Sequence, residues 1–235
     1  MEYIAILDTE TTGLDAAKCK VIEIAVVLYH LPTCSIIAQA STLISAEENA
    51  AYAINRIEVD TLKRTPIKVE IHTHLLIKQM LMEADAIVAH NAEFDKRFLE
   101  TIADFQEVSR NKKWICTRND VQWPIRKGVP LNLIHICADL GVPIISAHRA
   151  LADCLLLVNA LECVEDMEFF LDKSGKGRVI YHADVKYEQR QLVKDAGFLW
   201  DNINKIWHAK LTPEQAATMP FTCYPAEKFE NLLEK

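Results

Sequence analysis

The chain has 235 residues, half of them hydrophobic, and sets 26 Lys and Arg against 33 Asp and Glu for a net charge of −7. That length and apolar content exclude disordered and fibrous classes and allow one good core, or a core domain with a small appendage. The acidic balance excludes a broad basic face of the kind that gathers polyanions, so any nucleic-acid contact has to be local.

In chain order, Ile4 to Leu7 is a short apolar run, Val21 to Tyr29 a second and Ser35 to Ile44 a third, with Gly13 and Pro32 in the connections. This predicts an opening three-stranded meander. Ile71 to Met82 repeats apolar residues at helical spacing, Ala86 to Ala89 is a brief buried-strand pattern, and Glu93 to Thr101 is again helical. Trp114 to Thr117 predicts a fifth strand, Leu131 to Leu140 a helix stopped by Gly141, and Arg149 to Val164 a strongly apolar helix. Strands followed by strand and helix in alternation indicate a mixed α/β sheet covered by helices.

At Asp172 to Arg178 Gly, Ser and charge replace the apolar pattern, which predicts a linker over 172–178 between a domain at 1–171 and a small α+β module at 179–235. The net charge is −8 up to residue 170 and +1 beyond it. The tail predicts a strand at Arg178 to Ala183, a helix at Tyr187 to Ala196, two short strands flanking Asp201 to Lys205, and a helix from Thr212. No basic run with an apolar segment opens the chain and no apolar stretch reaches the ~20 residues of a membrane span, so a cytoplasmic protein without membrane contact is expected. Seven scattered cysteines without a Cys-x-x-Cys pair are expected to be reduced and mostly buried.

Asp8 and Glu10, two residues apart at a strand end, share one side of the sheet. They are either two solvated acids or part of a cation site, since hard oxygen ligands suit Mg²⁺ or Mn²⁺. Asp95 follows the Ala86 to Ala89 strand in a helix that Asn91 could cap, where an acid is also favoured by the helix dipole alone. Asp153 interrupts a nearly all-apolar helix, and a carboxylate there is costly without a cation or hydrogen-bond donors. His148, five residues earlier, is suited to proton transfer near neutral pH.

The order Asp-Thr-Glu-Thr-Thr-Gly at 8 to 13, His-Asn-Ala-Glu-Phe-Asp at 90 to 95 and His-Arg-Ala-Leu-Ala-Asp at 148 to 153 resembles the three motifs of the DEDDh, or DnaQ-like, 3′-5′ exonucleases. Asn55 to Ile57 and Trp114 to Thr117 are similar to its exonuclease X branch. The resemblance spans roughly residues 4 to 165 and implies an RNase H-like five-stranded mixed sheet with helices on both faces.

It further implies release of nucleoside 5′-monophosphates from 3′ ends with two divalent cations held by Asp8, Glu10, Asp95 and Asp153, and His148 as the base. Thr11, Thr12, Gly13 and Leu14 would then meet the terminal nucleotides, with His90 and Asn91 placing the phosphate or the Asp95 loop. Ile57 and Phe94 would be apolar platforms, or else core packing. Single-stranded or frayed DNA in repair or end processing is the expected substrate. RNA 3′ ends and proofreading beside a polymerase are the alternatives, and a homodimer or a polymerase or repair partner stays open.

Two further patterns carry no site. His72 and His74 diverge on a helix, and Ser174 to Gly177 lacks a full phosphate cradle. Trp200 and Trp207, with Arg190, Lys194, Lys205 and Lys210, resemble a small module attached to DNA-handling proteins. Its indoles are either stacking groups or the module's core.

Overall fold

The computed structural model describes residues 1–126, 128–172, 179–201 and 204–226. A five-stranded sheet comprises β1 (Tyr3–Thr11), β2 (Val21–His30), β3 (Ser35–Leu43), β4 (Ala86–Ala89) and β5 (Lys113–Cys116). Its order is β3-β2-β1-β4-β5; β2 is antiparallel to β1 and β3, while β4 runs parallel to β1 and β5. Among the described residues the helices of this part are α1 (Tyr52–Asn55), α2 (Val59–Lys63), α3 (Ile67–Glu83), α4 (Ala92–Leu99), α5 (Ala103–Asn111), α6 (Leu133–Leu140), α7 (Ala150–Glu162) and α8 (Met167–Asp172).

Strand alternation divides the core into two layers. Ile4 and Ile6 of β1, with Ala25, Val27 and Tyr29 of β2, pack under α6, α7 and α8. Ala5 and Leu7, with Ile24, Val26 and Leu28, pack on the other face against α3, α4 and α5. Helices on both faces explain why nine of the ten residues of β2 are buried and its sequence is an almost unbroken apolar run. Gly141 ends α6 with a φ of 76°, a left-handed conformation that costs glycine little.

The tail forms a separate four-stranded sheet from β6 (Val179–Asp184), β7 (Leu199–Asp201), β8 (Ile206–Leu211) and β9 (Thr222–Pro225), in the order β7-β8-β6-β9. Helices α9 (Arg190–Asp195) and α10 (Pro213–Ala217) accompany it, and a 3₁₀ turn at Tyr187–Gln189 leads into α9. The α10 start is a capping box in which the Thr212 hydroxyl accepts from the Gln215 N–H and the Gln215 side chain accepts from the Thr212 N–H.

Several expectations are corrected. β1 continues past Leu7 through Asp8, Thr9 and Glu10, because these polar residues still pair with Ala25, Ile24 and Glu23. Two elements carry no clear pattern in the sequence: α5, whose segment ADFQEVSRN buries only Phe105, Val108 and Ser109, and β9, whose Pro225 is tolerated on an edge strand. Cysteines 116, 137 and 154 are buried, but 34 and 163 are exposed and 19 and 223 are intermediate, so fewer than half are core residues. All seven are free thiols. Asp172 closes α8, and the rest of the expected linker, with Ser174 to Gly177, lies outside the described residues. Among the described residues no helix is long and apolar enough to cross a membrane.

Candidate active site

The even positions of β1 that bury Ile4 and Ile6 under α7 continue into Asp8 and Glu10, so alternation alone delivers both carboxylates to the α7 side of the sheet. Asp153, in the first turn of α7, comes down onto them. Asp8, Glu10 and Asp153 each offer an oxygen within 4.8 Å of the others. Asp95 reaches the strand end from α4, and its Oδ1 accepts from the Thr9 N–H at 3.0 Å and the Thr9 hydroxyl at 2.8 Å. A shift in register between Glu10 and Thr11 then ends the regular ladder.

Without a counter-charge these acids repel. Burial, followed by the charges of Asp95, Asp153 and Glu10, raises the Asp8 carboxyl well above its ordinary range. Glu10 is pushed up to about 8 by burial and then by Asp153 and Glu23, against the opposing effect of Arg149. Burial lifts Asp95 to about 7 despite the Thr9 hydrogen bonds, and it raises Asp153 despite the His148 N–H. A set of hard oxygen donors held at mutual repulsion fits a divalent cation, and Asp8, Glu10 and Asp153 would hold it.

His148 stands at the start of α7 with an exposed side chain and a φ of 62°. Its backbone N–H donates to Asp153 Oδ2 at 3.2 Å, which ties the loop to the acid cluster. Positive φ is uncommon for a residue with a side chain and is sustained here by that anchor on one side and Arg149 on the other.

Other expected contact residues divide. Leu14 is 80% exposed beyond Gly13. Thr12 spends its N–H on the Lys20 carbonyl at 2.9 Å and its hydroxyl on the Lys20 N–H, so that N–H is not available to a ligand. The Thr11 hydroxyl donates to the Gly13 carbonyl at 2.6 Å. Ile57 is 4% exposed and packs with Ile22, Ala46 and Leu62, which is core packing and leaves no platform.

Phe94 is half-buried against Phe98, with ring centroids 4.8 Å apart. Asn91 precedes α4 with a φ of 77° and makes no side-chain cap bond, so the expected cap is absent. His90 joins Thr117 Oγ1 through Nδ1 and the Leu131 carbonyl through Nε2, each at 3.1 Å. Its imidazole, pushed down to about 4 by burial, is neutral and braces the strand end. His74 is buried and His72 exposed, as their divergence on α3 requires.

Three residues were missed. Glu23 is a lone acid in an apolar strand and 4% exposed; that isolation was the available signal. Arg149 clasps it with Nε at 2.9 Å and a terminal nitrogen at 2.8 Å, and the Ala150 N–H adds a third bond at 3.1 Å. Asn55, 1% exposed, donates to the Thr11 carbonyl at 3.2 Å and accepts from the Ile57 N–H and from Asn49.

The sheet, its helices on both faces and the acid cluster at the β1 end define an RNase H-like nuclease fold. A family model described as Exonuclease matches residues 5–161, and one described as a domain of unknown function (DUF8626) matches residues 179–225. The chain belongs to the DnaQ-like exonuclease family. It is 30% identical over 157 residues to DNA polymerase III subunit epsilon of Treponema pallidum, covering 63% of this chain and 71% of that one.

Among solved structures it is similar to exonuclease X in complex with 5′-overhanging duplex DNA, at 25% identity and a TM-score of 0.51, over 73% of this chain and 99% of that one. Exonuclease I, at 14% identity and a TM-score of 0.59, shares the fold over 78% of this chain. This chain spans 49% of the length of that exonuclease I chain.

Proposed function

We propose that the protein is a divalent-metal-dependent 3′-5′ exonuclease that hydrolyses DNA from single-stranded or frayed 3′ ends and releases nucleoside 5′-monophosphates. The observation that carries this reading is the meeting of Asp8, Glu10 and Asp153 within 4.8 Å, with His148 tied to their rim. Two Mg²⁺ or Mn²⁺ ions would supply Lewis-acid stabilisation of the reacting phosphate and lower the pKa of water.

The chain's own residues do the rest. Asp8, Glu10, Asp95 and Asp153 would hold the cations, with Asp8, Glu10 and Asp153 offering oxygens within 4.8 Å of one another. His148 takes the proton of the attacking water at its imidazole. Leu14, exposed next to the Thr11 and Gly13 turn, is suited to wedge against the terminal bases. Local cations explain how an acidic protein engages a polyanion at so small a site.

A second reading is proofreading beside a polymerase, favoured by the likeness to subunit epsilon. The test is degradation of 5′-labelled DNA and RNA oligonucleotides of one sequence with Mg²⁺ or EDTA. Ladders shortening from the 3′ end, faster on DNA and absent with EDTA, are expected. Faster loss of RNA would move the substrate to RNA, and no shortening of either would leave only the partner-dependent reading.

A further inference from the structure

The tail module carries a surface for which the nuclease chemistry has no use. Trp200 of β7 and Trp207 of β8 are cross-strand partners, and their rings lie 5.1 Å apart at 55°. Trp207 packs against the module's core of Tyr181, Ala183, Val193, Phe198 and Leu211, whereas Trp200 lies outside that core and is 41% exposed. An indole tilted against its partner, outside the core and 41% exposed, is only partly used in folding.

Cations continue the strip. Lys194 Nζ lies 5.9 Å from the Trp207 ring. One turn earlier on the same helix face is Arg190, whose guanidinium lies 4.0 Å from the ring of Tyr187. Tyr187 is 74% exposed. Tyr187, Arg190, Lys194, Trp207 and Trp200 therefore form a strip in which two cations lie between aromatic rings.

The geometry points to a second nucleic-acid site on the tail, in which the strip binds a single strand by stacking bases on Trp200 and Tyr187 while Arg190 and Lys194 meet phosphates. Stacking needs a flat exposed ring and no particular base, and adjacent cations supply the salt-dependent part of the affinity. An apolar protein partner would use the rings and leave two cations to be desolvated, so the charge favours the polyanion.

Affinity of the full-length protein for a fluorescent 20-mer of thymidylate, measured by anisotropy in EDTA, tests this apart from the proposed reaction. No hydrolysis is scored, and the nuclease site is the same in every variant compared, so differences in binding report the tail. Trp200→Ala should weaken binding about tenfold and Trp200→Phe should restore most of it. Arg190→Gln with Lys194→Gln, exposed changes that spare the core, should reduce the slope of log affinity against log salt by about 1.4. Affinity and slope unchanged in the double variant, or affinity unchanged in a folded Trp200→Ala protein, would overturn the assignment.

Discussion

Glu10 and Glu23 face each other across the β1–β2 pair, and the Arg149 guanidinium grips only Glu23. The clasp neutralises one of two opposed acids and leaves the other for the cation site. It also fastens the start of α7, and with it His148 and Asp153, to the sheet. Removing Arg149 would leave a buried carboxylate uncompensated next to Glu10.

Arg149→Ala should therefore destabilise the protein by about 3 kcal/mol, the lower end for a broken buried pair because the arginine is half exposed. Chemical denaturation reads this directly. Glu23→Gln with Arg149→Ala should recover part of the loss, and no recovery would mean that the charge pair is not its origin.

The metal-free protein should lose stability as pH rises. Glu10 at about 8, Asp95 at about 7 and the raised Asp8 and Asp153 hold protons in the folded state that the unfolded chain releases near pH ~4. The folded state binds more protons, so stability falls from about pH 4 to about pH 8. Melting temperature in EDTA should drop across this window, and saturating Mn²⁺ should raise it more at pH 8 than at pH 5. A wild-type slope no steeper than that of Glu10→Gln would contradict the argument.

Asp8→Asn and His148→Ala should fail in different ways. Loss of the base should reduce turnover by about 10²–10⁴-fold while the Mn²⁺-induced rise in melting temperature remains. Asp8→Asn should lose both. Equal retention of the metal shift in the two variants would remove Asp8 from the cation site.

Gly13 has no room for a side chain, since a Cβ there would lie 2.7 Å from Cys19 Sγ. Gly13→Ala should cost about 1–3 kcal/mol, with most of it returned by Cys19→Ala, which removes the sulfur. Thermal melts of the two variants decide the point.

Asn55→Ala should lower stability by about 1–3 kcal/mol, because it strips partners from the Thr11 carbonyl and the Ile57 N–H in a buried setting. Stability within experimental error of wild type would show that water replaces the amide.

Much of this architecture was legible in the residues. Val21 to Tyr29, read as the second strand of a meander, is β2 short of one residue, and Ala86 to Ala89 is β4 to the residue, because a sheet covered on both faces writes itself as an apolar run. Asp8 and Glu10 were readable as neighbours through alternation. The rest depended on long-range partners. Glu23 has meaning only once β2 pairs with β1 and α7 lands on it, over 126 positions of separation. The burial of Ile57 reflects contacts with Ile22 and Leu62 that its own segment does not encode. Asn91 occupies the expected position, but a left-handed backbone there turns its side chain from capping.

The alternation of β1 also sets how the protein tolerates change. Substitutions along the strand alter one side chain, but deletion of Leu7 would put the two halves of the strand out of phase. With Ile4 and Ile6 kept under α7, the acids would turn toward α4 and away from Asp153. The strand is thus a reading frame for the site: length is its least negotiable property, and insertions or deletions there should be far more damaging than in the surface turns.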